Sequence, residues 1–82
     1  MNDYSTLNEI KPGQRAVVVE LKSAGSMRRR LLDIGLIKDT LVECLGRSPG
    51  GDPKAYLIRG AVIAIRCEDC KDIIVRKVCK EV

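Results

Sequence analysis

Apolar and polar positions alternate in short runs along most of this chain, and Gly and Pro punctuate the runs. One stretch breaks the pattern. Met27, Leu31 and Ile34 fall at i, i+4 and i+7, the spacing of one helical face, with Arg29, Arg30 and Asp33 on the other side. Ser26 reads as the N-cap, its hydroxyl placed to accept from an orphan amide of the first turn. Gly35 reads as the C′ residue, where φ is positive and a Cβ is strained. Leu36 and Leu31 then form the apolar pair that packs beneath a Schellman cap. The pattern predicts one short helix between Ser26 and Gly35, and strands elsewhere.

Five strands are expected. The first, Arg15 to Leu21, carries the continuous run Val17-Val18-Val19, which implies burial on both faces for part of its length. It follows Lys11-Pro12-Gly13, a type II turn pair in which Pro fixes one φ and Gly13 supplies the positive one. The second strand is Thr40 to Arg47. Leu41 and Leu45 make the face they share with Glu43 its expected core side, opposite Val42 and Cys44. Ser48 to Pro53 is dense in turn formers and reads as an exposed loop. The third and fourth strands, Lys54 to Arg59 and Ala61 to Arg66, are joined by a tight hairpin at Gly60. Cys67 to Asp72 reads as a polar turn, Ile73 to Val78 as the fifth strand, and Cys79 to Val82 as a frayed tail. Short strands at close spacing predict a mainly β fold, a small antiparallel barrel. A five-stranded oligonucleotide-binding barrel places its helix between strands three and four. Here the helix falls between strands one and two, which favours an SH3-like barrel.

With 82 residues the chain is expected to form a single domain, its core spanning about 7–78. Ile, Leu and Val number 24, with no Phe or Trp, enough for one compact aliphatic core. No segment approaches the ~20 apolar residues of a membrane-spanning helix. Met1 to Thr6 is polar and lacks a signal-peptide pattern, so a cytoplasmic location is expected. The net charge of +4 is modest and Lys and Arg are scattered along the chain; the one dense run is Arg28-Arg29-Arg30, with Lys38 just beyond the helix. These four are the candidate partner-binding residues. A solvated face is the competing reading of so short a run. Nucleic acid is not the expected partner, because stacking platforms are lacking: the only aromatics are Tyr4 and Tyr56. Gly13, Gly35 and Gly60 are assigned to turns and caps.

The candidate chemistry is confined to cysteine. Cys67-Glu68-Asp69-Cys70 has the spacing of half a zinc or iron site, or of a redox pair. A closed site needs two more donors. The chain has no His, so they would come from Cys44, Cys79 or carboxylates. A redox pair normally opens a long helix, whereas a strand is expected after Cys70. No cofactor is expected to be required, and Fe²⁺ or Zn²⁺ binding at Cys67 and Cys70 is the alternative. No imidazole base, no nucleophile with an evident partner and no phosphate-loop spacing is present, so an enzyme is not expected.

Leu7-x-x-Ile10-x-Pro12-Gly13, Arg30-Leu31-x-x-Ile34-Gly35-Leu36, Gly51-Asp52-Pro53, Gly60-x-x-Ile63-Ala64-Ile65-Arg66 and Ile73-x-Val75 recur in an order that resembles the FeoA family of small ferrous iron transport proteins. The resemblance implies an SH3-like barrel and an accessory role beside FeoB, a membrane transporter with a cytosolic GTP-binding domain. It also implies a protein that is itself not membrane-embedded, expected here as a monomer, at most peripheral to the membrane through its partner. The same fold occurs in iron-dependent repressors, so a regulatory domain of that type is the second alternative. Two positions depart from the family pattern. Lys38-Asp39 stands where the family often has Pro-Gly, and Cys70 where it tends to have Ala, which favours Cys70 as a small buried hydrophobe.

Overall fold

The computed structural model describes residues 4–47 and 49–78; Cys79 to Val82, expected as a frayed tail, lie outside the described residues. Six strands are present: β1 (Tyr4–Thr6), β2 (Arg15–Leu21), β3 (Leu41–Arg47), β4 (Lys54–Ile58), β5 (Ala61–Ile65) and β6 (Ile73–Lys77). A 3-10 turn, Leu7–Glu9, separates β1 from β2. Helix α1 (Gly25–Asp33) joins β2 to β3, and a single-turn helix α2 (Cys67–Cys70) joins β5 to β6. The expected five strands are β2 to β6. Tyr4–Thr6 adds a sixth because it pairs antiparallel with β6, Tyr4 opposite Arg76 and Thr6 opposite Ile74. A polar tripeptide carries no strand period, so only the tertiary ladder reveals it. The helix therefore lies between the second and third strands rather than the first and second.

All pairs are antiparallel, in the order β1-β6-β2-β3-β4-β5. Among the described residues β5 does not pair back onto β1, so the sheet is open rather than the closed barrel expected. Register shifts occur between Val18 and Glu20 in β2 and between Cys44 and Gly46 in β3. Bulges of this kind bend a strand and increase its twist.

The inner face carries Leu7, Ile10, Ala16, Val18, Leu31, Leu36, Val42, Tyr56, Ile58, Ile73 and Val75, all buried. Val17 and Val19 are only half-buried, so β2 alternates rather than being covered on both faces. The orientation of β3 is the reverse of that expected. Val42 and Cys44 are buried, while Leu41 and Leu45 are 48% and 43% exposed. Glu43 settles the choice: it shares their face, opposite Arg15 on β2, where its charge stays solvated.

The turns follow the chemistry of their residues. Gln14 N–H donates to Lys11 O at 2.9 Å across Pro12 and Gly13, and Gly13 has φ +90°. β4 and β5 form a two-residue hairpin with Arg59 and Gly60 both at positive φ, the combination of a type I′ turn.

Candidate partner-docking surface

The seating of α1 begins with its ends. The residue before it is Ala24, which has no capping side chain, and Ser26 lies inside the first turn rather than at the N-cap. The C-terminus is built as the sequence indicates. Gly35 N–H donates to Leu32 O and Leu36 N–H to Leu31 O, each at 3.0 Å, with Gly35 at φ +102°. That is a Schellman closure. Leu31 and Leu36 are buried, and Met27 and Ile34 pack against the core. A short helix is held mainly by such burial.

The next turn replaces Pro-Gly chemistry by other means. Thr40 N–H donates to Ile37 O at 3.1 Å, so Lys38 and Asp39 are its central residues. Asp39 takes φ +74°, the αL region that Asp tolerates better than most residues. Asp39 N–H donates to Val18 O at 2.7 Å, and Val18 N–H to Thr40 O at 2.9 Å, fastening the turn to β2. Lys38 is thereby presented at the surface, exposed.

The three arginines diverge, as ~100° per residue requires. Arg28 donates from Nη1 to Leu21 O at 3.1 Å, tying the helix to the end of β2. It has a structural task and also lines, with Lys38, a groove beside β2. Arg29 and Arg30 are exposed, and Asp33 forms no ion pair with either among the described residues. Arg30 borders a second groove, between α1 and β5, with Met27, Ile34, Ile63, Ala64 and Arg66. A third groove, of about 660 Å³, runs over the outer face past Arg15, Lys38, Leu41, Leu57 and Arg59. Arg28 and Lys38 thus share one groove and Arg30 borders another, so the four candidate residues do not line a single groove. Reading the sequence missed the exposed leucines of the outer face and the surface of β5. Glu43 between Leu41 and Leu45 was the signal for the former, and the charge-free Ala61–Ile65 for the latter.

The cysteine motif sits elsewhere. Cys70 is buried, and its thiol donates to Tyr56 Oη at 3.5 Å. Tyr56 in turn donates to Leu7 O at 3.2 Å. Burial pushes the Cys70 thiol up to about 11, outweighing the opposing effects of the Tyr56 hydrogen bond and of Lys54. Burial also raises the Tyr56 phenol well above its ordinary value. Cys67 is half-buried, its Sγ 3.7 Å from Gly51 O, and its amide donates to Asp52 Oδ1 at 2.8 Å. Among the described residues no three His, Cys, Asp or Glu side chains gather as a metal cage. Cys44 is buried in the core, and Cys79 lies outside the described residues.

A model of the FeoA domain matches residues 5–77. The chain belongs to the FeoA family. A protein of Porphyromonas gingivalis that fuses Fe(2+) transport protein A to the Fe(2+) transporter FeoB is 30% identical over 67 residues. That match covers 82% of this chain, which spans 8% of the fusion protein's length. The solution structure of a FeoA-like protein from Clostridium acetobutylicum superposes with a TM-score of 0.87 at 28% identity, over 100% of this chain and 95% of that one. FeoA of Stenotrophomonas maltophilia, described as a procaryotic SH3 domain protein complexed with zinc, gives a TM-score of 0.77 at 27% identity. There the match covers 87% of this chain and 88% of the other. The FeoA family is associated with ferrous iron transport. Among the described residues no helix is long and apolar enough to cross a membrane.

Proposed function

We propose that this chain is a non-enzymatic accessory protein of ferrous iron uptake, which docks on the cytosolic GTP-binding part of a FeoB-type transporter and modulates it. The observation that carries this reading is the fusion relative, in which a domain similar to this chain and the transporter are one polypeptide. Covalent linkage of two activities in one relative supports their working side by side when encoded apart. The surface supports the same reading. Exposed apolar residues rimmed by charge, as Ile37 and Leu41 are beside Lys38, are a usual mark of protein contact. Arg29 and Arg30 extend the basic rim, and Arg30, in the last turn of α1, also suits the helix dipole.

Titration calorimetry against the transporter's cytosolic domain tests the reading. Association is expected, weakening as salt rises because exposed charges are screened beyond ~8–10 Å. Arg29→Glu with Arg30→Glu should leave the fold intact and slow association more than it speeds dissociation. No detectable association of the wild-type chain would sink the proposal.

A further inference from the structure

β5 is the last strand of the sheet, paired only with β4 among the described residues. Its sequence, Ala61-Val62-Ile63-Ala64-Ile65, holds no charge and no Pro, the usual protections of an exposed edge. Val62 is 65% exposed, and Ala61 and Ala64 are exposed as well. The hairpin register shows which backbone groups are free. In a two-residue hairpin the residues flanking the turn, Ile58 and Ala61, exchange hydrogen bonds, and the pairs then alternate. Ile63 opposite Tyr56 and Ile65 opposite Lys54 therefore bond to β4. Val62 opposite Leu57 and Ala64 opposite Ala55 turn their N–H and C=O groups away from β4, toward the open edge.

That edge faces a groove. Ile63, Ala64 and Ile65 all line it, although successive side chains point to opposite faces of a strand. Three consecutive residues border one groove when it runs along the strand's edge. The far wall is α1, through Met27, Leu31 and Ile34. The volume of about 350 Å³ lies within the ~300–1,000 Å³ range of ligand clefts. Its rim carries Arg30 and Arg66 against one acid, Asp69. Among the described residues the Arg66 side chain makes one ion contact, an exposed one with Asp52 at 3.8 Å.

We infer that this groove takes an extended segment of the transporter's cytosolic part, added as a strand beside β5, with apolar side chains against α1 and carboxylates toward Arg30 and Arg66. The inference rests on the docking reading above and assigns its seat. Val62 and Ala64 supply two donors and two acceptors in strand register, the chemistry of β-strand addition. The apolar side of α1 supplies the pocket for alternate side chains. A second copy of the chain fits less well. Its own β5 would arrive attached to a sheet and flanked by its own α1, and two pairs of arginines would meet across the twofold axis.

Amide hydrogen exchange of the wild-type chain, with and without the cytosolic domain, tests this directly. Val62 and Ala64 amides should exchange fast in the free chain and slow at least tenfold in the complex. Ala64→Pro removes a donor that β4 does not use, a change that edge strands tolerate. It should weaken association at least tenfold while amide dispersion is retained. Arg30→Glu should weaken it several-fold. If the wild-type chain associates but Val62 and Ala64 gain no protection, the groove is the wrong seat while the docking reading stands. If the wild-type chain does not associate, both fall. A concentration-dependent dimer of the free chain that protects the same two amides would assign the edge to a second copy and overturn the inference.

Discussion

The open sheet has two edges, and they are finished in different ways. β1 is three residues long, and the chain leaves it at once for the 3-10 turn, whose Leu7 is buried along with the following Ile10. That turn is fastened across the sheet's opening. Lys54 Nζ donates to Asn8 O at 2.6 Å and Tyr56 Oη to Leu7 O, while Cys70 on α2 donates to Tyr56. β5 is longer and apolar, and it faces a groove instead of a cover. Where ladder hydrogen bonds do not close the fold, side-chain hydrogen bonds close one edge and leave the other open. Buried polar groups make the first edge sensitive to loss of any member, because an unsatisfied group pays its full desolvation cost.

Removing the centre of the closed edge should have the largest effect. Tyr56→Ala takes away a fully buried ring together with the hydroxyl that joins the 3-10 turn to α2. A loss of about 3–5 kcal/mol is expected from urea unfolding. A loss below ~1 kcal/mol would show that this edge is not held as described.

Alkali should loosen the same edge through Cys70. Its folded-state value of about 11 lies above the ordinary 9.0, so the folded protein holds the proton that the unfolded chain gives up. The stabilisation is fully present below pH 9 and is lost as pH rises toward 11. The loss should be about 2–3 kcal/mol, at 1.36 kcal/mol for each unit of displacement. Unfolding curves between pH 8 and 9.5 should slope downward for the wild type, and Cys70→Ala should largely flatten them, since the unfolded Tyr56 phenol ionises mainly from about pH 10 upward. An equal slope in both proteins would overturn the assignment.

On the open side, the wall of the groove depends on how α1 ends. A Cβ at Gly35 would lie 2.5 Å from Arg59 Cδ, at a φ of +102° that β-branched residues avoid. Gly35→Val should cost about 1–3 kcal/mol. An unchanged melting temperature would show that the cap is not needed to hold the helix.

Much of this was legible because the relevant forces are local. Pro12-Gly13, the Gly35 cap and the inward face of α1 each depend on a few neighbouring residues, and each is found where the pattern places it. Where two signals conflicted, the pattern misled. In β3 two leucines outvoted one glutamate, yet an unpaired buried carboxylate costs more than an exposed leucine. Ser26 has the chemistry of a cap, but the helix begins one residue before it. The arginine run reads as one unit in sequence, while helical geometry sends Arg28 to Leu21 and Arg30 to the groove.

The sequence alone determined the strands β2 to β6 and the single substantial helix with its glycine stop, because periodicity and turn chemistry are properties of nearest neighbours; its ordered motifs also resembled the FeoA family, which the domain match shows. Only the tertiary structure decided that Tyr4–Thr6 is a strand, that the sheet stays open, that Cys70 serves as a buried link to Tyr56, and that β5 faces a groove. Those features depend on contacts between residues far apart in the chain. Val62 and Ala64 are ordinary strand residues until the fold sets β5 at the edge, with no strand beside it but β4 among the described residues.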